Sequence, residues 1–249
     1  MRKSTFRFAA VALVGALALT GCATTPDAPR ETLTPGPEVP TATGLQILLT
    51  QIPAGAETTP YIEYGDAERI AEKIAADEEW ALLEGFGWWS LAAQRTVLTE
   101  QYAVDASAVT AALSVGQPPA TITVLVGPQD AAAVGGAFEA AGWADDGGVL
   151  TIGQGASLTV PLALQAPHVV AAEDRLVFGE ISTDLAALSG DTGTGLMGDD
   201  FVATLTGCLG DPIAAMFDTA ASVAVGLTES GDAIACYDAD TTDAETVEA

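Results

Sequence analysis

TITVLVGPQDAAAVGGAFEAAGW, residues 121–143, is the clearest strand–turn–helix unit in the chain. Its first six residues are β-branched or aliphatic, which favours a β-strand. Gly127-Pro128 then makes a turn, and Asp130 caps a helix that Gly142 ends. The stretch therefore predicts a buried strand that leads directly into a helix packed on its own sheet.

The same alternation extends to both sides of this unit. A strand over residues 149–152 follows a turn at residues 145–148, and a strand at residues 61–64 precedes a helix over residues 66–76. Antiparallel hairpins that alternate with helices are typical of α+β proteins. We predict an α+β fold with a mostly antiparallel sheet and helices packed on one face.

The remaining helices and strands of the body are predicted from hydrophobic periodicity and from the Gly, Pro and capping residues that bound each element. A helix from Asp199 or Asp200 includes Cys208, and strands over residues 223–228 and 233–237 form a final hairpin. Further helices are predicted over residues 91–102, 105–113 and 212–221, and a strand over residues 157–164. The single body domain is predicted to span residues 44–238, and residues 239–249 form an acidic, frayed tail.

The N-terminal segment has the pattern of an export signal. Arg2, Lys3 and Arg7 form a positive region, and residues 8–20 are apolar and uncharged. That run is too short for a permanent membrane helix and has the length of a signal peptide. Residues 1–21 are therefore predicted to be a signal peptide.

The signal ends at Leu19-Thr20-Gly21-Cys22, which resembles the lipobox of bacterial lipoproteins. The resemblance implies a diacylglyceryl group on the Cys22 sulfur, cleavage before Cys22 and a lipid anchor on the extracytoplasmic face of the cell membrane. The alternative is an ordinary secretory signal with a chance cysteine. Residues 22–43 contain five prolines, as expected of an extended, disordered tether.

The charge of the chain excludes several partners. It has 8 Lys and Arg residues against 34 Asp and Glu residues, three of the basic ones in the signal. A polyanion is repelled by nucleic acid and by anionic lipid headgroups, so we expect no nucleic-acid partner and attachment to the membrane through the Cys22 lipid. We expect no cofactor and no metal.

Two of the three cysteines remain after Cys22 is assigned to lipid. Cys208 and Cys236 form an even pair, for which a disulfide is the default in an oxidising compartment. Zinc is the competing interpretation, but two cysteines with the single histidine, His168, are a poor ligand set.

Four aromatic residues, Trp80, Phe86, Trp88 and Trp89, cluster around Gly85 and Gly87. Aromatic side chains fill cores well, so one interpretation is a core plug. The other is an exposed surface for a partner, either an envelope protein or a glycan. A structure that shows whether Trp88 and Trp89 are buried separates the two.

We find no convincing catalytic constellation and expect a non-enzymatic protein. The segment Asp191-Thr192-Gly193-Thr194 matches one aspartic-protease signature, but that mechanism needs two such aspartates. The chain has no Gly-x-Ser-x-Gly elbow, and His168 lies in an apolar strand.

Several body segments resemble uncharacterised actinobacterial cell-envelope lipoproteins: residues 61–66, 115–119, 142–143 and 208–211. That group has no assigned catalytic or binding residues, so the resemblance implies a location and no chemistry. The leading hypothesis is a lipid-anchored interaction module of the cell envelope. The alternative is a carrier of a small apolar ligand.

Overall fold

The computed structural model describes residues 4–6, 42–53, 61–152, 162–180, 185 and 194–237. Eleven β-strands are found in these residues: β1 Ser4–Phe6, β2 Tyr61–Gly65, β3 Ala111–Val115, β4 Ile122–Val126, β5 Trp143–Asp146, β6 Val149–Ile152, β7 His168–Ala171, β8 Arg175–Gly179, β9 Ala214–Asp218, β10 Val223–Leu227 and β11 Ala233–Tyr237.

Six α-helices accompany the strands: α1 Gly44–Gln51, α2 Ala67–Ala76, α3 Arg95–Tyr102, α4 Ala131–Ala140, α5 Leu162–Gln165 and α6 Asp200–Leu209. Short 3₁₀ helices lie at Glu78–Leu83, Trp89–Gln94, Ala106–Ala108 and Gly195–Gly198. Side-chain caps begin four of the α-helices, because Thr43, Asp66, Asp130 and Asp199 each accept a hydrogen bond from a first-turn amide.

All the strands belong to one sheet, in the order β1-β11-β10-β9-β2-β3-β4-β8-β7-β6-β5. Every neighbouring pair is antiparallel. The predicted α+β class with an antiparallel sheet is confirmed. The strand–turn–helix unit also forms as predicted, with β4, the Asp130 cap and α4 in sequence.

The prediction that helices cover one face of the sheet is wrong, because they cover both. Helices α1 and α6 pack on a first face, against residues such as Leu113 and Phe217. Helices α3, α4 and α5 pack on the second face, against residues such as Ala112 and Phe178. The physical reason is visible in β3, β4 and β8, where consecutive residues are buried, so both faces of these strands are covered.

Two central strands lie where the sequence predicted helices. Within residues 105–113 there is only a short 3₁₀ turn followed by the start of β3, and β9 occupies residues 214–218 of the predicted helix 212–221. Both strands are rich in alanine, a good helix former, but propensity is a weak prior that strand pairing overrides. Within the predicted strand 157–164, residues 162–164 are instead the start of α5.

The strand β1 lies within the predicted signal peptide. Its backbone pairs with β11 through Ser4–Ala235, Thr5–Ile234 and Phe6–Ala233. If the signal is removed, β11 becomes an edge of the sheet. The lipobox, residues 23–41 of the tether and the acidic tail after residue 238 lie outside the described residues, whereas Thr43, at the end of the predicted tether, caps α1. Among the residues that are described, no helix is long and apolar enough to cross a membrane.

Candidate functional site

A short segment that we call the strap, residues 85–89, crosses the second face of the sheet. The buried Glu63 of β2 accepts a hydrogen bond from the Gly87 amide at 2.6 Å, and Ser114 of β3 donates one to the Gly87 carbonyl at 2.8 Å. Ser114 also lies 2.8 Å from the Thr123 hydroxyl of β4. Three adjacent strands thus supply a polar row that fixes the strap to the sheet.

The strap approaches the sheet so closely that Gly87 has no room for a side chain. A Cβ atom there would strike the carbonyl oxygen of Ala112, and the φ angle of +85° is in the left-handed region. Gly65 on β2 is constrained in the same way, because its Cβ would strike the Phe86 carbonyl oxygen. Glycine at these positions is a requirement of close backbone packing.

The Glu63 carboxyl is the main electrostatic feature under the strap. Burial raises its pKa, and hydrogen bonds from the backbone amides of Gly87 and Trp89 partly offset this effect. The carboxyl therefore retains a proton to higher pH than an exposed glutamate does. Its protonation state is coupled to the attachment of the strap.

The four aromatic residues singled out in the sequence have separate locations. Trp88 is 2% exposed and packs in the core of the second face, with the Arg95 guanidinium 5.3 Å from its ring centre. Trp80 and Phe86 are half-buried and pack against α2 and β9. Trp89 is half-buried, adopts a φ of +50° and lies 4.6 Å from the Tyr61 ring. Trp88 is thus a core residue, and Trp89 lies at a border.

On one side of the strap lies an apolar cleft, the α2 cleft, of about 420 Å³. The helix α2 forms one wall, and Leu83, Phe86 and Trp88 contribute to the other. Only Glu84, Arg95 and Ser107 bring polar side chains to its lining. The volume is within the range of about 300–1,000 Å³ typical of small-molecule sites.

Arg95 lies at the junction of the α2 cleft with a second depression lined by Thr96, Thr99 and Glu100. Its Nη1 donates to Glu84 Oε1 at 2.8 Å. Because the guanidinium also lies over the Trp88 ring, the side chain is held at the mouth of the cleft.

On the other side of the strap, none of the helices among the described residues lies over part of the second face of the sheet. We call this area the open sheet face; it comprises Met216 and Asp218 of β9, Val223 and Val225 of β10, and Ala235 and Tyr237 of β11. Met216 is 38% and Val225 47% exposed. In the register of the sheet, Val225 is opposite both Met216 and Ala235. Side chains from three adjacent strands therefore form one continuous patch.

An aromatic rim borders this patch. Asp218 lies between Tyr61 on β2 and Val223 on β10, and Val223 in turn lies opposite Tyr237 on β11. The Trp89 ring packs on Tyr61 at the edge next to the strap. Apolar and aromatic side chains with one carboxylate are a composition found at protein interfaces.

The predicted disulfide is present between Cys208 of α6 and Cys236 of β11, with Cα atoms 6.1 Å apart. It ties the C-terminal hairpin to the helix layer on the first face. Cys22, the predicted lipidation site, lies outside the described residues.

The other sequence candidates have simple surroundings. His168 lies on β7 with Nδ1 3.1 Å from the Thr151 hydroxyl. Residues 191–193 of the protease-like segment lie outside the described residues. In the part of the chain that the structure describes, no group of three or more His, Cys, Asp or Glu residues could hold a metal ion.

Sequence reasoning missed the residues that shape both surfaces. Glu63 and Ser114 carry a signal, since a polar residue within an apolar strand is buried only with a partner. Arg95 carries a weaker one, as one of few cations in an acidic chain. The open sheet face could not be found, because β9 was predicted as a helix.

No protein-family model matches the chain, and no curated protein or solved structure matches it either. The function must therefore be inferred from the described residues and their geometry.

Proposed function

We propose that the protein is a lipid-anchored, non-enzymatic interaction module on the extracytoplasmic face of the cell membrane, and that it binds an envelope protein through the open sheet face. The signal pattern and the lipobox resemblance at Cys22 support the location. The observation that carries the interaction is the exposure of Met216 and Val225 on adjacent strands.

A sheet face that is apolar and uncovered is unusual in a soluble domain. Elsewhere on the same sheet, the corresponding positions are buried, as Phe178 and Leu125 illustrate at 1% exposure each. Contiguous exposed apolar side chains mark interaction sites when polar groups surround them. The Asp218 carboxylate and the Tyr237 hydroxyl at one end of the patch, with Tyr61 beside Asp218, supply such polar groups here.

Methionine suits this role because its flexible, polarisable side chain adapts to a partner, and tyrosine and tryptophan suit it because they bury much area at little entropic cost. The strap contributes indirectly, since it fixes Trp89 against Tyr61 at the border of the patch. A partner that covers Val225 and Met216 would complete the layer that the helices complete over the rest of the sheet.

A second candidate function is a carrier of a small apolar ligand, and one observation favours it. The α2 cleft has a volume of about 420 Å³ and a mostly apolar lining that includes Ile70, Ile74 and Leu83. An apolar cleft with a few convergent polar groups is the usual form of a ligand site. The two functions use different sides of the strap.

Photo-crosslinking from the open sheet face tests the leading function. A benzophenone amino acid replaces Val225 in the anchored protein, and the envelope is irradiated in intact cells. We expect one adduct of defined mass, made with a second envelope protein that mass spectrometry identifies.

Leu82 provides the matched control, because it is aliphatic and 93% exposed but lies outside the open sheet face. The same probe at position 82 should give no such adduct. Equal adducts from both positions, or none from position 225, would contradict an interaction through this face.

A further inference from the structure

We propose that the α2 cleft binds an uncharged acyl lipid, with the apolar chain in the cleft and an ester or amide carbonyl accepting hydrogen bonds from Arg95. The inference rests on the second candidate function and adds the chemical class of the ligand.

The walls of the cleft select an apolar body. Most of the lining side chains are aliphatic or aromatic, and they include Ile70, Ile74, Leu83, Phe86 and Trp88. A sugar or a peptide rich in charge would lose its hydration there without finding hydrogen-bond partners. An alkyl chain makes no hydrogen bonds to water that would be lost there, and its burial in the cleft removes apolar surface from water.

One end of the cleft carries the group that a polar head would meet. Arg95 Nη1 donates a hydrogen bond to Glu84 Oε1 at 2.8 Å, and the Arg95 side chain is 29% exposed. Its Nη2 has no hydrogen-bond partner among the residues that the structure describes. The Trp88 ring and the Glu84 carboxylate restrict the guanidinium, so its free N–H groups are already held where a carbonyl oxygen at the cleft mouth could accept from them.

The surrounding charges favour a neutral head over a carboxylate. Glu84 already compensates the charge of Arg95, and Glu100 lines the adjoining depression. A carboxylate placed beside Arg95 would therefore be near two like charges, in a chain of formal net charge −26. A cationic head would instead face the guanidinium itself. An uncharged hydrogen-bond acceptor is repelled neither by the two carboxylates nor by the guanidinium.

Three ligands that share one ten-carbon chain separate these possibilities: 1-decanoylglycerol, decanoate and decyltrimethylammonium. Each is titrated, below the concentration at which it self-associates, into the full chain carrying Cys22→Ser, and binding is measured by calorimetry. We expect 1-decanoylglycerol to bind at least about tenfold more tightly than either charged ligand.

Variants at the cleft mouth test the role of Arg95. Arg95→Met should weaken the binding of 1-decanoylglycerol about tenfold, because the ligand carbonyl loses a hydrogen bond from a charged donor. Arg175→Met is the matched control on β8, because Arg175 has a similar exposure but does not line the cleft. Glu84→Gln removes one of the two carboxylates near Arg95, so it should reduce the preference for 1-decanoylglycerol over decanoate.

The outcomes distinguish this inference from the function on which it rests. If decanoate binds as tightly as 1-decanoylglycerol, or if neither Arg95→Met nor Glu84→Gln changes the ligand preference, the uncharged-lipid inference is overturned and the cleft remains an apolar site. Ala71→Trp places a bulky side chain in the cleft from an exposed position of α2. If Ala71→Trp leaves binding intact, or if no ligand binds the unmodified chain, the carrier function fails as well.

Discussion

The buried carboxylate of Glu63 accepts a hydrogen bond from the Gly87 amide at 2.6 Å, and this contact joins the sheet to the strap. Both candidate surfaces border the strap that this hydrogen bond holds on the sheet. The strap places Trp88 in the core and in the wall of the α2 cleft, and it brings Trp89 to the Tyr61 ring at the border of the open sheet face.

The closeness of the strap to the sheet predicts unequal effects at its two glycines. Gly85 and Gly87 both have positive φ, at +82° and +85°, so alanine at either position adds about 1–2 kcal/mol of backbone strain. Only at Gly87 would the new Cβ strike backbone atoms. The free energy of unfolding of Gly87→Ala should therefore be lower than that of Gly85→Ala by about 1–3 kcal/mol. Urea unfolding of the two variants measures the difference, and equal losses would show that the strap is not tightly packed.

The raised pKa of Glu63 predicts a specific pH dependence of stability. Burial raises this pKa above its ordinary value of 4.5, so the folded chain keeps a proton that the unfolded chain has lost. The stability contributed by that proton is present below pH 4.5 and is lost as pH rises through the raised value.

Glu63→Gln should remove this dependence, because a glutamine cannot titrate. Relative to the variant, the unmodified chain should therefore lose free energy of unfolding as pH rises from 4.5 towards neutrality. Denaturant unfolding at a series of pH values measures the difference in free energy of unfolding between the two proteins. Glu68→Gln, at an exposed position of α2, is the control. A constant difference between Glu63→Gln and the unmodified chain would contradict the coupling.

The disulfide predicts a stabilisation that depends on the loop it closes. Cys208 and Cys236 are 28 residues apart, so loss of the crosslink should cost about 3–4 kcal/mol from chain entropy. The double variant Cys208→Ala/Cys236→Ala should show this loss in thermal or urea unfolding. Intact mass after alkylation without reductant is the accompanying check: two alkylated thiols at positions 208 and 236 would rule out the crosslink.

The proposed lipid anchor predicts where a Cys22→Ser variant is found. Without the thiol, no diacylglyceryl group can be added, so the variant should be released from the membrane or remain as an unprocessed precursor. Fractionation and intact mass distinguish these products from the anchored form. A variant that is still processed normally and still sediments with membranes would contradict the lipobox interpretation.

The parts of the fold that the sequence predicted are those with strong local signals. The unit of β4, the Asp130 cap and α4 formed as expected, and Cys208 and Cys236 pair because their elements are adjacent in space. The strands β3 and β9 were missed because alanine-rich segments become strands only through pairing with distant neighbours.

The candidate surfaces depended on those same long-range pairings. Met216 is exposed on an uncovered face only because β9 lies between β2 and β10. Arg95 reaches the α2 cleft because the strap carries Trp88 beneath it. Neither arrangement leaves a local pattern in the sequence. The aromatic cluster does leave one, but the sequence alone does not assign its four members to core or surface.

The most direct test of the proposed function is the yield of the crosslinked adduct from a benzophenone at position 225 when neighbouring Met216 is replaced by aspartate. A carboxylate buried at an interface loses its hydration, so Met216→Asp should reduce the adduct at least about tenfold in protein that urea unfolding shows to be folded. Leu164→Asp, at an exposed position on α5, should leave the yield unchanged. An undiminished adduct from a folded Met216→Asp protein would contradict binding through the open sheet face.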